Sequence, residues 1–335
     1  MAKDKDKYSQ YIVENDDYYW PAGEVVTKKS LEPGYYTLKQ SQKGIFVHRK
    51  DIHTDELLNL PLKVFKQVLT DISKFWTTEE DFKRYDFVFK RGILLYGPPG
   101  AGKSGLIKML ADDLVKNQNG IVFSLYDSND LDLYSAFMEE IFRSIEPDRP
   151  VITIIEDIDG LCSRSATETQ LINLLDGITQ SRKVVYLATT NYIENLRGRI
   201  INRPSRFDRI YSIDLPDETV RRFYFENKIR PEDLGNIDMD LWIKETDTFT
   251  YAHMRDLIVS VIILKNEFQE TIEHLKNMNE ASVKSRSQRG RVVSLDEETN
   301  NSKYAESLNE VECPEDYALD EPVCNESQKS FTRKI

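Results

Sequence analysis

Gly97-Pro98-Pro99-Gly100-Ala101-Gly102-Lys103-Ser104 combines glycines, a lysine and a hydroxyl in the order that a phosphate group needs. Glycines let backbone N–H groups turn inward around an oxyanion, and a helix that starts at the end of the loop adds the positive end of its dipole. Lys103 would bridge the β- and γ-phosphates of a nucleoside triphosphate, and the Ser104 hydroxyl would hold Mg²⁺. Downstream, the apolar run Val151 to Ile155 ends in Glu156-Asp157-Ile158-Asp159. Carboxylates at the end of a buried strand beside a phosphate loop lie near the metal and the attacking water. A third apolar run from Val184 ends in Thr190-Asn191, whose amide could orient water or contact the γ-phosphate. Asn202-Arg203-Pro204-Ser205-Arg206-Phe207-Asp208-Arg209 places arginines around a turn, and the rigid guanidinium fork matches phosphate oxygens. Taken singly, these three later segments also read as a solvated acidic turn, a turn asparagine and a surface salt-bridge cluster. Their order behind the phosphate loop favours the chemical reading.

The elements that must hold these groups follow from periodicity. Ile93 to Tyr96, Ile121 to Tyr126, Val151 to Ile155, Val184 to Thr189 and Tyr211 to Leu215 read as strands, several of them unbroken apolar runs as in a sheet covered on both faces. Helical spacing marks Leu62 to Trp76, the segment opening at Gly105, Tyr134 to Ile145 and Thr167 to Ile178. Alternation of this kind predicts an α/β fold with a parallel sheet and right-handed crossovers. Gly34 to Lys39 and Gly44 to His48 resemble two strands joined by a polar turn, a small N-terminal β element or arm. Residues 217 to about 275 carry helical periodicity alone, which predicts an all-helical subdomain. Beyond about residue 280, basic residues such as Lys284 and Arg291 give way to acidic ones from Asp296 to Asp316. Such a stretch buries too little apolar area to offset ordering, so a disordered charged tail is expected.

The chain has 335 residues and a net charge of −12, which argues against nucleic acid as the main partner and mildly favours proteins. No run approaches the roughly 18 apolar residues of a membrane span, and the charged start Met1-Ala2-Lys3-Asp4 is unlike a secretory signal. A soluble, intracellular and most simply cytoplasmic protein is expected. Cys162, Cys313 and Cys324 are odd in number and widely spaced, which suggests free thiols.

The ordered set resembles the AAA ATPases, a branch of the AAA+ P-loop proteins. Gly97 to Ser104 is similar to Walker A, Ile154 to Asp159 to Walker B, Thr190-Asn191 to sensor 1, and Arg203 to Asp208 to the arginine-finger region. Lys90 to Gly100, Glu156 to Asp159 and Leu174-Leu175-Asp176-Gly177 are most similar to the mitochondrial chaperone branch that translocates the folded Rieske protein. The resemblance covers roughly residues 62 to 265. It implies a homo-oligomeric ring, commonly a hexamer, with ATP and Mg²⁺ at subunit interfaces. It divides the chain into an N-terminal arm or β element (1–60), an α/β nucleotide-binding subdomain (61–216), a helical lid (217–278) and a charged tail (279–335). Gly97, Pro98, Pro99, Gly100, Ala101, Gly102, Lys103 and Ser104 would bind nucleotide. Asn191 would sense the γ-phosphate, and Arg203 and Arg206 would reach a neighbour's site. Thr250-Tyr251-Ala252-His253 falls where the family often carries a glycine-alanine segment against the nucleotide.

Two departures bear on mechanism. Most of the family ends Walker B with aspartate then glutamate, whereas here Glu156 precedes Asp157. By position Glu156 is then the metal-side residue, with Ser104, and Asp157 the catalytic base. Threading members usually carry an aromatic residue and a glycine in the loop after the second strand. Here Tyr126 to Tyr134 is acidic and without glycine, so either tyrosine could face a pore or pack on the sheet. The expected function is Mg²⁺-dependent ATP hydrolysis by an oligomeric AAA-type ATPase that remodels a protein or protein complex. Alternatives are a nucleotide-gated scaffold with slow hydrolysis and, with less support, a nucleic-acid loader or motor.

Overall fold

The computed structural model describes residues 10–14, 18–22, 27–42, 44–51, 58, 60–176, 182–196, 198–201, 203 and 205–280. Strands β1 (Gln10–Glu14) and β2 (Tyr18–Ala22) pair antiparallel as a two-stranded sheet that the sequence reading did not anticipate. The central sheet has seven strands in the order β4-β3-β6-β7-β8-β5-β9. They are β3 (Gly34–Ser41), β4 (Gly44–Lys50), β5 (Lys90–Tyr96), β6 (Ile121–Leu125), β7 (Val151–Ile155), β8 (Val184–Thr190) and β9 (Arg209–Ser212). All pairings are parallel except β3 with β4. The hairpin expected near residues 34–48 forms, and β3 extends the sheet through a parallel register of Tyr35 with Val122.

The buried strands are those with unbroken apolar runs: every residue of β7 and β8 is buried. Successive side chains leave opposite faces of a strand, so each run feeds two cores. Ile93 and Leu95 face α1 (Lys63–Trp76) and the helix α3 (Lys103–Gln118), while Leu94 joins Phe123, Tyr134 and Phe207 on the other face. Between these lie α2 (Glu79–Arg84), α4 (Ser128–Ala136), α5 (Arg143–Ile145), α6 (Ile158–Cys162), α7 (Ser165–Asp176) and α8 (Gly198–Ile201). From residue 217 the described elements are all helices: α9 (Glu218–Lys228), α10 (Pro231–Leu234), α11 (Met239–Glu245), α12 (Tyr251–Ile258) and a final helix over 268–280.

Among the boundaries that differ from expectation, three have a clear local reason. Helix α3 begins at Lys103, because Gly102 at φ 97° supplies the left-handed cap that ends the loop. Helix α4 begins at Ser128, well before Tyr134. Asp127 caps it by accepting from the Asp130 N–H, and the polar residues of its first turns hide the helix from a periodicity reading. It runs on through a π-helical turn at Phe137–Phe142 into α5. Strand β9 covers Arg209–Ser212 instead of 211–215. The Ile213 N–H still donates to the Tyr96 carbonyl at 2.8 Å, after which Pro216 leads toward α9. Cys162 is buried; Cys313, Cys324, Gly177 and the charged tail lie outside the described residues.

Candidate active site

Strand β5 delivers the chain into the phosphate loop, where Gly97, Gly100 and Gly102 all take positive φ. At Gly97 a Cβ would overlap the Ile213 carbonyl oxygen, so the loop sits hard against the exit of β9 and only glycine fits. Helix α3 then starts at Lys103, whose Nζ donates to the carbonyls of Gly97 and Pro98 at 2.8 and 2.9 Å. The same nitrogen donates to Asn191 Oδ1 at 2.7 Å. The ammonium is thus centred over the loop, with only 7 % of the residue exposed.

The two carboxylates after β7 have different company. Glu156 Oε1 accepts from the Ser104 hydroxyl at 2.7 Å, whereas Asp157 Oδ1 accepts from Asn191 Nδ2 at 3.1 Å. Asp157 holds a left-handed backbone (φ 50°, ψ 50°), and its N–H donates to Thr189 Oγ1 at 3.2 Å. Asp157 stands at the N-cap position of α6 without a side-chain cap bond, and its carboxylate turns instead to Asn191, the residue after β8. Burial raises the Asp157 pKa, the charges of Asp159 and Glu156 raise it further, and Lys103 opposes them. Asp159 accepts from Thr190 Oγ1 at 2.6 Å, which ties the end of β7 to the end of β8.

A cleft of about 410 Å³ is lined by Gly100, Lys103, Ser104, Glu156, Asp157 and Asn191, among others. Beside it lies a cavity of about 980 Å³ with Leu60, Phe65, Met109, Tyr224, Tyr251 and Val259 in its wall; Gly102 and Gly105 line both. A polar, cation-bearing cleft beside a cavity with aromatic and aliphatic walls, rimmed by Lys108, Lys228 and Arg255, suits a ligand with a phosphate tail and a flat, less polar head. The adjacent hydroxyl and carboxylate oxygens of Ser104 and Glu156 are hard donors that fit Mg²⁺.

The start of α12 meets this site directly. The Tyr251 N–H donates to the Gly100 carbonyl at 3.0 Å, and Cβ atoms at Gly100 would crowd Thr250 and Ala252. Thr250 and His253 form a reciprocal capping box at the start of α12. Burial lowers the His253 pKa, with Asp256 opposing.

The loop, Glu156, Asp157 and Asn191 therefore come together, while the two arginines stand apart from the cleft and from each other in exposure. Arg203 is 66 % exposed, with Nη1 3.9 Å from Asp176. Arg206 is 5 % exposed, donates to the Arg199 carbonyl and lies 3.5 Å from the Asp176 carboxylate. Gly92 and Asp208 exchange backbone and side-chain hydrogen bonds at 2.8 and 3.0 Å, and a Cβ at Gly92 would overlap the Arg206 carbonyl. Sequence spacing gave no sign that Gly92 and Asp176 shape the arginine turn, because both act through contacts distant in the chain. Of the two tyrosines considered for a pore, Tyr134 is fully buried with its hydroxyl 2.6 Å from Thr153 Oγ1, and Tyr126 is 60 % exposed.

Comparison with known proteins agrees with this geometry. Residues 93–215 match the model of the ATPase family associated with various cellular activities (AAA). The ATP-dependent zinc metalloprotease FtsH 2 of Sphaerobacter thermophilus is 31 % identical over 223 residues, which is 62 % of this chain and 33 % of that protein. FtsH of Pelobacter propionicus is 27 % identical over 253 residues, 69 % of this chain and 40 % of that one. ATPase family gene 2 protein homolog A of Homo sapiens is 30 % identical over 192 residues, 52 % of this chain and 21 % of that protein. The chain thus spans about a third of the length of the FtsH relatives that it matches. Residues 93–215, which carry the phosphate loop, both carboxylates and Asn191, are thus an AAA-type ATPase segment by their match to that family model.

Proposed function

We propose that this chain binds ATP with Mg²⁺ at Gly97–Ser104 and hydrolyses it in an oligomer, a ring that in this family is commonly a hexamer, to remodel a protein or protein complex. The observation that carries the reading is the connected set Lys103–Asn191–Asp157 next to Ser104–Glu156. Lys103 would neutralise the β- and γ-phosphates from a position already set by two loop carbonyls. Ser104 and Glu156 would hold the cation, which when bound shields phosphate charge. Asn191 holds Asp157 at the edge of the cleft, where its carboxylate can take a proton from the attacking water as the bond from the γ-phosphorus to the leaving oxygen breaks. Arg203 projects into solvent and would serve a neighbouring copy's site, with buried Arg206 shaping the turn that presents it. The helical lid, fastened to Gly100, would report nucleotide state to the rest of the assembly.

ATP turnover per subunit across a protein-concentration series tests this, with Arg203→Ala run beside the natural chain. Specific activity that climbs with concentration and falls at least 10²-fold in the variant is expected. Flat, barely detectable turnover in both would favour a nucleotide-gated scaffold, a reading to which the burial of Tyr134 lends some weight. Stimulation by nucleic acid at moderate salt would favour the loader.

A further inference from the structure

Strand β7 ends at Ile155, while its neighbour β8 runs on to Thr190, so the last residues of β8 stand beside the acidic turn that leaves β7. Thr189 is one of them. It is buried, it lines the phosphate cleft, and its Oγ1 accepts from the Asp157 N–H at 3.2 Å. Asp157 is held at a second point, where its Oδ1 accepts from Asn191 Nδ2. Both holds come from one place, the end of β8 and the residue that follows it. The backbone of Asp157 needs them, because a left-handed conformation is disfavoured for a residue with a Cβ and persists only where the surroundings fix it. An N–H that leaves the sheet ladder needs another acceptor, and the Thr189 hydroxyl supplies it. Thr190 cannot take over, since its hydroxyl donates to Asp159 and accepts from the Tyr192 N–H.

We infer that Thr189 is a positioning residue for hydrolysis: its hydroxyl holds the Asp157 backbone in the left-handed turn that brings the carboxylate to the cleft. The inference rests on the reading of Asp157 as the base and gives that base a support on β8. Thr189 need touch neither phosphate nor water; it acts through Asp157 alone. Without the hydroxyl, the turn loses the bond that favours it, the backbone relaxes toward a commoner conformation, and the carboxylate moves away from the water that it must deprotonate. Phosphate binding rests instead on the loop and on Lys103, which two loop carbonyls hold in place, and is left intact. Valine matches threonine in shape and branching but has no hydroxyl, whereas serine keeps the hydroxyl and loses the methyl. The two substitutions therefore separate the hydrogen bond from the packing.

The test is ATP turnover and ATP binding by the full chain with Mg²⁺, for the natural protein, Thr189→Val and Thr189→Ser. Thr189→Val should turn over about 10- to 10²-fold more slowly while its ATP affinity stays within about 3-fold, and Thr189→Ser should stay within about 3-fold of natural turnover. In an Asp157→Asn background, Thr189→Val should cost nothing further, because the group that it positions is already disabled. If Thr189→Val is unstable, Thr189→Ala set against Thr189→Ser asks the same question, the two differing by the hydroxyl alone. Natural-like turnover in Thr189→Val, equal slowing in the valine and serine variants, a parallel loss of ATP affinity, or a full additive cost in the Asp157→Asn background would each overturn the inference while leaving Asp157 as the base. Natural turnover in Asp157→Asn alone would instead remove the reading of Asp157 as the base, and this inference with it.

Discussion

Glu156 and Asp157 are adjacent in the chain yet bond to different partners, one to the Ser104 hydroxyl and one to the Asn191 amide. That division supports the proposed roles, Glu156 at the cation and Asp157 at the water, and it makes a specific expectation. Asp157→Asn keeps the size and the hydrogen bond to Asn191 but cannot take a proton. ATP affinity should stay within about 3-fold while turnover falls by roughly 10² or more; unchanged turnover would reject Asp157 as the base. Lys103→Ala should instead weaken binding itself, because the charge that faces the phosphates is gone. At this scale the phosphate loop, the carboxylates and Asn191 were legible in the sequence, since the ligand dictates both residue type and spacing. What was not legible was the company each side chain keeps. The order Glu156-Asp157 leaves the roles to position alone, and the separation of Arg203 from Arg206 depends on Asp176 and the Arg199 carbonyl, which spacing does not reveal.

Elements carry two further expectations. In the capping box of α12 the Thr250 N–H donates to His253 Nδ1 at 3.3 Å, so that nitrogen must be unprotonated for the box to close. The depressed His253 pKa means that the folded state binds fewer protons than the unfolded state below the ordinary histidine value of 6.5. Its contribution to stability is therefore present above that value and lost as pH falls through the folded pKa. Melting temperature followed from pH 7.5 to 5 should decline more steeply in the natural chain than in His253→Ala; parallel curves would show that the cap is indifferent to protonation. At the sheet, Gly92→Ala sets a methyl against the Arg206 carbonyl, with an expected cost of about 1–3 kcal/mol for the overpacked contact. A loss measured by chemical denaturation, together with reduced turnover, is the expected result. The strands and the lid helices were readable because unbroken apolar runs and helical stripes are strong patterns. The start of α4 and the shift of β9 were not: a polar first turn resembles a loop, and Ile213 belongs by composition to a strand that it only extends by one bond to Tyr96.

For the whole molecule, the placement of Arg203 in solvent and away from its own cleft gives a test that needs two inactive variants. Arg203→Ala should retain a complete cleft but offer nothing to a neighbour; Asp157→Asn should do the reverse. Mixing them should recover turnover toward a fraction of the natural value, by pairing an intact cleft with an intact arginine. Mixtures no more active than either variant alone would place the arginine in its own chain's chemistry or in none. The fold that allows this was predicted in its class, a parallel α/β sheet followed by helices, while the extension of that sheet through β3 and β4 depends on long-range pairing that no local pattern announces.

Strand β5 has a property that goes beyond holding the loop. At one end it becomes Gly97 and the phosphate loop; near the other, Gly92 is bonded to Asp208 and seated on the Arg206 carbonyl. The five steps from Gly92 to Gly97 span about 17 Å of extended chain, paired with strands on both sides and buried from Gly92 to Leu95. Such a strut barely compresses, so a displacement at the loop arrives at the arginine turn with little loss. In an assembly where the loop receives one nucleotide and the arginine attends another, each subunit becomes a push-rod between successive sites.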